Sequence, residues 1–425
     1  MVKIKAERLL GDLHRLRDFG RTDNGVVRPS FSAVDMEARE WLRQRFTDAG
    51  LTATIDGVGN VFGTSPNAGP ALVLGSHSDT QPRGGWLDGA LGVIYALEVA
   101  RALAEDSATR DLAVDVAAWI DEEGTYTSCL GSRSFVDDMP GEVLAHANDD
   151  GEAVSEAIAR VGLADVGRVT VDLDRHIGYL EAHIEQGPYL EEAGDLIGVV
   201  TSIVGIRSTQ VEFTGEQNHA GTTPMNRRRD AGVAMFEFAV KLRERFTAIA
   251  APTTVWTIGQ AQLEPGAASI IPGYAVAHVQ YRDPDDDRLA AMDAVVSEIA
   301  SEVAAATGVR VLATRERDPI LPCHMDSDFR QHLAAAAEAS VPGAWREMPS
   351  AAGHDPMVIS QHLPCAMVFI PSIGGISHDF AENSKEADIV TGCAVMADAA
   401  ASILRAAISS TTPTVPRANP PGHSG

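Results

Sequence analysis

Positive charge is what this 425-residue chain has least of: 34 lysines and arginines stand against 59 aspartates and glutamates, a net charge of −25. A surface that binds nucleic acid must neutralise phosphates with cations, so no nucleic-acid partner is expected. Cysteine is scarcer still. The four, Cys129, Cys323, Cys365 and Cys393, form no CxxC and no spaced metal set. That excludes a disulfide frame and a structural zinc ribbon, and it reads as reduced thiols. Long apolar runs are missing too: none approaches the length of a membrane span. The first eight residues, Met1 to Arg8, carry charges where a signal sequence has its apolar core. The expectation is a cytoplasmic protein with no membrane partner. With 45% hydrophobic and 22% charged residues, the chain is globular in composition and long enough for two cores.

What is present is organised around Gly75-Ser-His77-Ser-Asp79-Thr-Gln-Pro-Arg-Gly-Gly85-Trp-Leu-Asp88-Gly89. The apolar run 71–74 before it reads as a buried parallel strand, and Leu91–Leu103 after it has helical spacing. His77 and Asp88 therefore lie beyond a strand's carboxyl end, where open α/β sheets bind ligands. An imidazole and a carboxylate able to bridge suit divalent metal. Asp79 can accept the other ring N–H of His77 and fix its tautomer. Asp88 also stands where a helix cap would, so this loop alone decides nothing.

Three more strand ends repeat the pattern. Asp115–Ile120 runs into Asp121-Glu122-Glu123-Gly124, Ile177–Ile184 holds His183, and Ala366–Ile370 leads to His378. With Asp88 as a bridge, His77 and His183 would serve one ion and Glu123 and His378 another, each with an open position. Two such ions can share a hydroxide, with Glu122 as the base that passes its proton to the leaving nitrogen. Zn²⁺ is the default for this donor set, and Mn²⁺, Co²⁺ or Ni²⁺ also suit it.

Past residue 206 the pattern changes. Strands at 208–214, 253–262, 275–281 and 309–314 alternate with helices at 228–249 and 288–306 in the order βαββαβ, which places helices on one face of an antiparallel sheet. The expected plan is α/β. A catalytic domain of residues 1–206 and 316–410, with a mixed sheet flanked by helices, is interrupted by an α+β domain of 207–315. A final helix at 390–406 is followed by a disordered tail, 411–425, rich in Ser, Thr and Pro.

These motifs, together with His183-Ile-Glu-Gln186-Gly, His219-Ala-Gly-Thr-Thr-Pro, Gly353-His354-Asp355 and Gly374-Gly375-Ile-Ser377-His378, resemble the hydantoinase/carbamoylase family of amidohydrolases. That branch of the M20 metallopeptidase clan includes N-carbamoyl-L-amino acid hydrolases, β-ureidopropionases and allantoate amidohydrolases. The resemblance runs in order to about residue 410. It implies a zinc-peptidase-like catalytic domain, a lid, a homodimer formed through the lids, two divalent ions and Glu122 as general base. It also implies that His219 donates to the developing oxyanion in the partner's site. Gln186 and His354 would hold the ureido or amide end of the substrate, and the Arg282 fork its carboxylate. Gly374, Gly375 and Ser377 would add donors around that carboxylate.

The peptidase and aminoacylase branches usually carry a carboxylate at the position of His183, so the histidine favours the carbamoylase branch. Some residues depart from the family. Ser269 replaces the usual asparagine before Ile270-Ile271-Pro272 and lacks its amide fork. Trp86 could favour a bulkier or flatter acyl group, and Tyr126 and Cys129 are unusual after the glutamate pair. The implied reaction is hydrolysis of the linear C–N bond of an N-carbamoyl or N-acyl amino acid. The rivals are an M20 aminoacylase or dipeptidase, and a metal-binding scaffold without turnover.

Overall fold

The computed structural model describes residues 1–316 and 318–411. Of the tail expected at 411–425, only Thr411 falls among them, as the last residue of helix Glu386–Thr411. The chain divides into two compact units. The first takes Met1–Thr201, Met325–Met348 and the chain from His354 on; the second takes Ser202–His324 with Pro349–Gly353. The second therefore starts a few residues before the expected 207. It also recruits a short later segment, where the Val204 N–H donates to the Ser350 carbonyl.

In the first unit, strands run in the order Ile197–Ile203, Cys365–Ile370, His176–Ile184, Ala71–His77, Ala113–Trp119, Val61–Thr64 and Thr52–Ile55. The four from Cys365–Ile370 to Ala113–Trp119 are mutually parallel, and the outer pairings are antiparallel. This is the mixed α/β sheet read from the sequence. Every residue of Ala71–His77, Ala113–Trp119 and Cys365–Ile370 is buried. Parallel strands covered on both faces read as unbroken apolar runs for that reason. Helices Ala6–Asp18, Ala90–Glu105 and Glu386–Thr411 share one core with this sheet.

One helix corrects the reading of apolar runs: Glu386–Ser409 is long and apolar enough to cross a membrane. That stretch is 67% buried inside the fold, so its composition is that of a core helix packed on most sides.

The second unit is a four-stranded antiparallel sheet in the order Val255–Glu264, Tyr274–Asp283, Gly205–Thr214 and Arg310–Arg315. Helices Ala231–Ile249 and Asp286–Thr307 pack on it, giving the expected βαββαβ order. Both start at aspartates, Asp230 and Asp285, whose side chains accept the first free backbone N–H groups.

Candidate active site

The four parallel strands put their carboxyl ends side by side. His77 is the last residue of its strand, and His183 is the last but one of its neighbour. The Asp121–Gly124 turn and the loop to His378 follow the other two. Asp88 reaches the centre of this edge because Gly89 has φ +63°, and a Cβ there would run into the His77 imidazole. Its Oδ1 lies 3.5 Å from His77 Nε2 and 3.0 Å from His183 Nε2. Oδ2 lies 3.2 Å from His378 Nε2, which is 3.7 Å from Glu123 Oε1. Two trios result, His77–Asp88–His183 and Asp88–Glu123–His378, each with ligand atoms within 4.8 Å of one another. Asp88 is not the helix cap; Gly89 occupies that position and no side chain caps it.

The supporting contacts differ from expectation in several places. His77 Nδ1 is 3.1 Å from the Asp79 backbone carbonyl and 3.8 Å from its carboxylate. The carboxylate instead accepts the N–H groups of Glu122 (3.4 Å) and Glu123 (3.2 Å), so Asp79 holds the glutamate turn. Asp121 does the same from below, accepting from Thr125, Tyr126 and Thr127 at 2.7, 3.0 and 2.8 Å. The sequence reading passed over Asp121, although an aspartate three residues before Gly124 is a turn signal.

Gln186 does face the cluster, with Nε2 3.2 Å from Asp88 Oδ2 and 3.1 Å from Ser377 Oγ. His354 is buried with its ring centroid 4.5 Å from that of His183. The three donors expected at the substrate carboxylate are all engaged. Gly374 N–H donates to Glu191 (2.6 Å), Gly375 N–H to the Ser372 carbonyl (3.0 Å) and the Ser377 hydroxyl to Glu382 (2.9 Å). The 3₁₀ turn Ile373–Gly375 uses its own amides, which motif spacing could not show.

The donor chemistry fits divalent cations. His77 and His183 give their Nδ1–H to the backbone carbonyls of Asp79 and Ile184, the latter at 2.9 Å. The His183 Nε2 lone pair then accepts the Gly89 N–H at 3.1 Å, while that of His77 faces the Asp88 carboxylate, acceptor against acceptor, which a cation between them would reconcile. Glu123 Oε1 is buried without a hydrogen-bond partner among the described residues. Burial opposes charge on Asp88, yet His183, His378 and His77 hold its carboxyl well below the usual range. Burial and the Asp88 charge push Glu123 up to about 7, and the contact with Asp88 raises His378 to about 9. Glu122 is driven well up by burial, with Glu123 adding to the push against the opposing field of His77. Such a cluster holds more negative charge than it keeps without cations. A cleft of about 540 Å³ opens beside Glu123, with Pro29, Gln81, Tyr126 and Asp149 among its walls.

A model of peptidase family M20/M25/M40 matches residues 73–402. The chain belongs to this family. It is 34% identical to the N-carbamoyl-L-amino-acid amidohydrolase of Paenarthrobacter aurescens, over 91% of this chain and 97% of that protein. It is 32% identical to the ureidoglycolate hydrolase of Arabidopsis thaliana, over 93% and 86% of the two. A crystal structure of an amidase of the hydantoinase/carbamoylase family from Burkholderia phymatum superposes with a TM-score of 0.92 at 52% identity, covering 96% of this chain and 99% of that one. The hydantoinase/carbamoylase resemblance read from the motifs thus extends to the whole M20 fold.

The remaining residues singled out in this M20 chain lie in the second unit or depart from the family. His219 sits on a two-residue strand paired with Ile270–Ile271. Its Nδ1 accepts the N–H groups of Gly221 (2.9 Å) and Thr222 (3.2 Å), so the proton is on Nε2, as an exposed donor. Ser269 takes part through its carbonyl, which accepts the Ala220 N–H, while its side chain is exposed. Arg282 turns its Nε and one terminal nitrogen to Gln280 Oε1 at 3.3 and 3.0 Å, the edge a carboxylate would take by exchange.

Trp86 corrects an expectation. It is 5% exposed, stacked 5.2 Å from His14 and 4.9 Å from the Arg17 guanidinium, both on helix Ala6–Asp18, and so is packed into the core rather than lining a substrate site. Trp86→Ala is expected to cost about 3–5 kcal/mol of stability, the range for large-to-small core changes, with no change in preference among N-acyl groups. Urea unfolding and kcat/KM ratios check both halves. Tyr126, in contrast, lines the cleft and donates its hydroxyl to Glu152 (2.6 Å). Cys129 is buried, its Sγ 3.9 Å from Glu122 Oε1.

Proposed function

We propose that this M20 chain is a dinuclear metal-dependent amidohydrolase that cleaves an N-carbamoyl amino acid to the free amino acid, carbon dioxide and ammonia. It is a hydrolase of carbon–nitrogen bonds in linear amides, in keeping with the names of the amidohydrolases it resembles. The observation that carries the reading is Asp88, whose two oxygens face separate histidine-containing trios. His77, His183, Asp88, Glu123 and His378 would hold two divalent ions, zinc by default, supplying Lewis acidity and an acidified water.

Glu122, buried and raised in pKa, suits a base that takes the proton of the attacking water and returns it to the leaving nitrogen. The Nε2–H of His219 suits the oxygen that becomes negative, in the partner's site by family resemblance. Arg282 takes the substrate carboxylate, Ser269 contributes through water, and Gln186 and His354 meet the ureido end.

A homodimer through the lid is supported by an exposed apolar stripe on helix Ala231–Ile249, where Val233, Phe236 and Val240 are 49%, 57% and 50% exposed. Strand Val255–Glu264 beside it is an edge of its sheet. Phe236→Asp is expected to give a monomer in light scattering and to lower kcat about 100-fold, as loss of an oxyanion donor does. A monomer with full activity would contradict a role for His219 in the partner's site. A cytoplasmic location belongs to the same reading, with all four cysteines buried.

The deciding experiment assays N-carbamoyl amino acids, N-acyl amino acids and dipeptides with and without chelator. Ammonia release from carbamoyl substrates, lost with chelator and restored by Zn²⁺, is expected. Release of a carboxylic acid without ammonia would identify an aminoacylase. No chelator-sensitive turnover on any of them would leave a scaffold.

A further inference from the structure

Glu382 is 2% exposed and lies on a loop that no motif singled out. Its Oε1 accepts the backbone N–H groups of Leu87 and Asp88, both at 3.0 Å, across a separation of 294 residues in the second case. Its Oε2 accepts the hydroxyl of Ser377 at 2.9 Å. Gly85 makes room for this arrangement, since a Cβ there would overlap the Glu382 carboxylate. One carboxylate therefore grips the loop that carries the bridging ligand and, with its other oxygen, the serine beside Gln186.

The consequence for Gln186 follows from hydrogen-bond polarity. With its own hydrogen given to Glu382, Ser377 offers Gln186 only a lone pair. Asp88 Oδ2 is an acceptor as well, and His378 Nε2 lies 3.3 Å from the same amide nitrogen. The Ser377 and Asp88 contacts require the amide nitrogen on that side. Gln186 Oε1 is left buried with no hydrogen-bond partner among the described residues, an acceptor that awaits an N–H.

We infer that Glu382 is a positioning residue that sets the Asp88 loop and, through Ser377, orients the Gln186 amide so that its oxygen receives an N–H of the substrate's ureido group. A carbamoyl NH2 supplies such a donor, and a simple acyl methyl does not. The second half rests on the proposed reading of Gln186 as the residue that meets the ureido end.

Three variants of the full-length protein separate the two roles, with circular dichroism to confirm folding. Glu382→Ala drops both grips and is expected to weaken Zn²⁺ binding, measured by equilibrium dialysis against a competing chelator, by about 10–100-fold, the usual loss when a ligand's supporting partner is removed. Gly85→Ala should reproduce that loss by displacing the carboxylate. Glu382→Gln still accepts the two backbone N–H groups but turns an NH2 toward Ser377, which frees the Ser377 hydrogen to face the Gln186 amide nitrogen, donor against donor. It is expected to keep wild-type Zn²⁺ affinity within about threefold and to raise KM for an N-carbamoyl amino acid at least tenfold, a split that general loosening would not produce.

Wild-type Zn²⁺ affinity in folded Glu382→Ala and Gly85→Ala would overturn the first role. An unchanged KM in Glu382→Gln would overturn the second. If the wild type turned over no carbamoyl substrate, the reading of the site would fail while the Zn²⁺ measurements still decided the first role.

Discussion

Glu122→Gln lowers kcat by about 10²–10⁴-fold, the span of positioned general acid–base groups, and leaves bound metal at the wild-type level. The amide keeps the size of the side chain and its place 3.7 Å from His77 Nε2, so neither trio loses a ligand. What it cannot do is accept and return a proton. Burial holds Glu122 where the charged form is costly, and a carboxylate in that state takes a proton readily. Turnover rates with elemental analysis on the same samples check the pair of outcomes. A fall of less than tenfold, with metal retained, would assign the proton to another group.

Asp88→Ala abolishes detectable turnover and takes metal content below one ion per chain. Three imidazoles lie 3.0 to 3.5 Å from this carboxylate, so each trio is reduced to two ligands when it goes. Two protein ligands are too few for a catalytic zinc site, which keeps three. His378→Ala provides the contrast, since it leaves the His77–Asp88–His183 trio complete and should remove one ion only. Elemental analysis after dialysis reads both. Equal metal loss in the two variants would argue against a bridging role for Asp88.

Much of this site was legible before any coordinates. Ala71–His77, Ala113–Trp119 and Cys365–Ile370 are buried on both faces, so their sequences are apolar throughout and the polar residues that follow stand out. The hidden part consists of contacts with no local pattern. Glu382 acts through backbone N–H groups that any residue would carry, and Asp79 works through its carboxylate on a turn more than forty residues away. Trp86 was misjudged for a related reason: closeness in sequence to Asp88 says nothing of which way an indole points, and helix Ala6–Asp18 was waiting to receive it.

From the chain alone came the α/β plan, the inserted βαββαβ unit, and the imidazoles and carboxylates at strand ends, because periodicity and loop position are properties of neighbours in sequence. Only the folded protein decided which donors remain available. Gly374, Gly375 and Ser377 are satisfied by Glu191, Ser372 and Glu382, while Gln186 keeps a buried oxygen without a partner among the described residues. Each hydrogen is given once, and who receives it is settled between residues far apart along the chain and close in space.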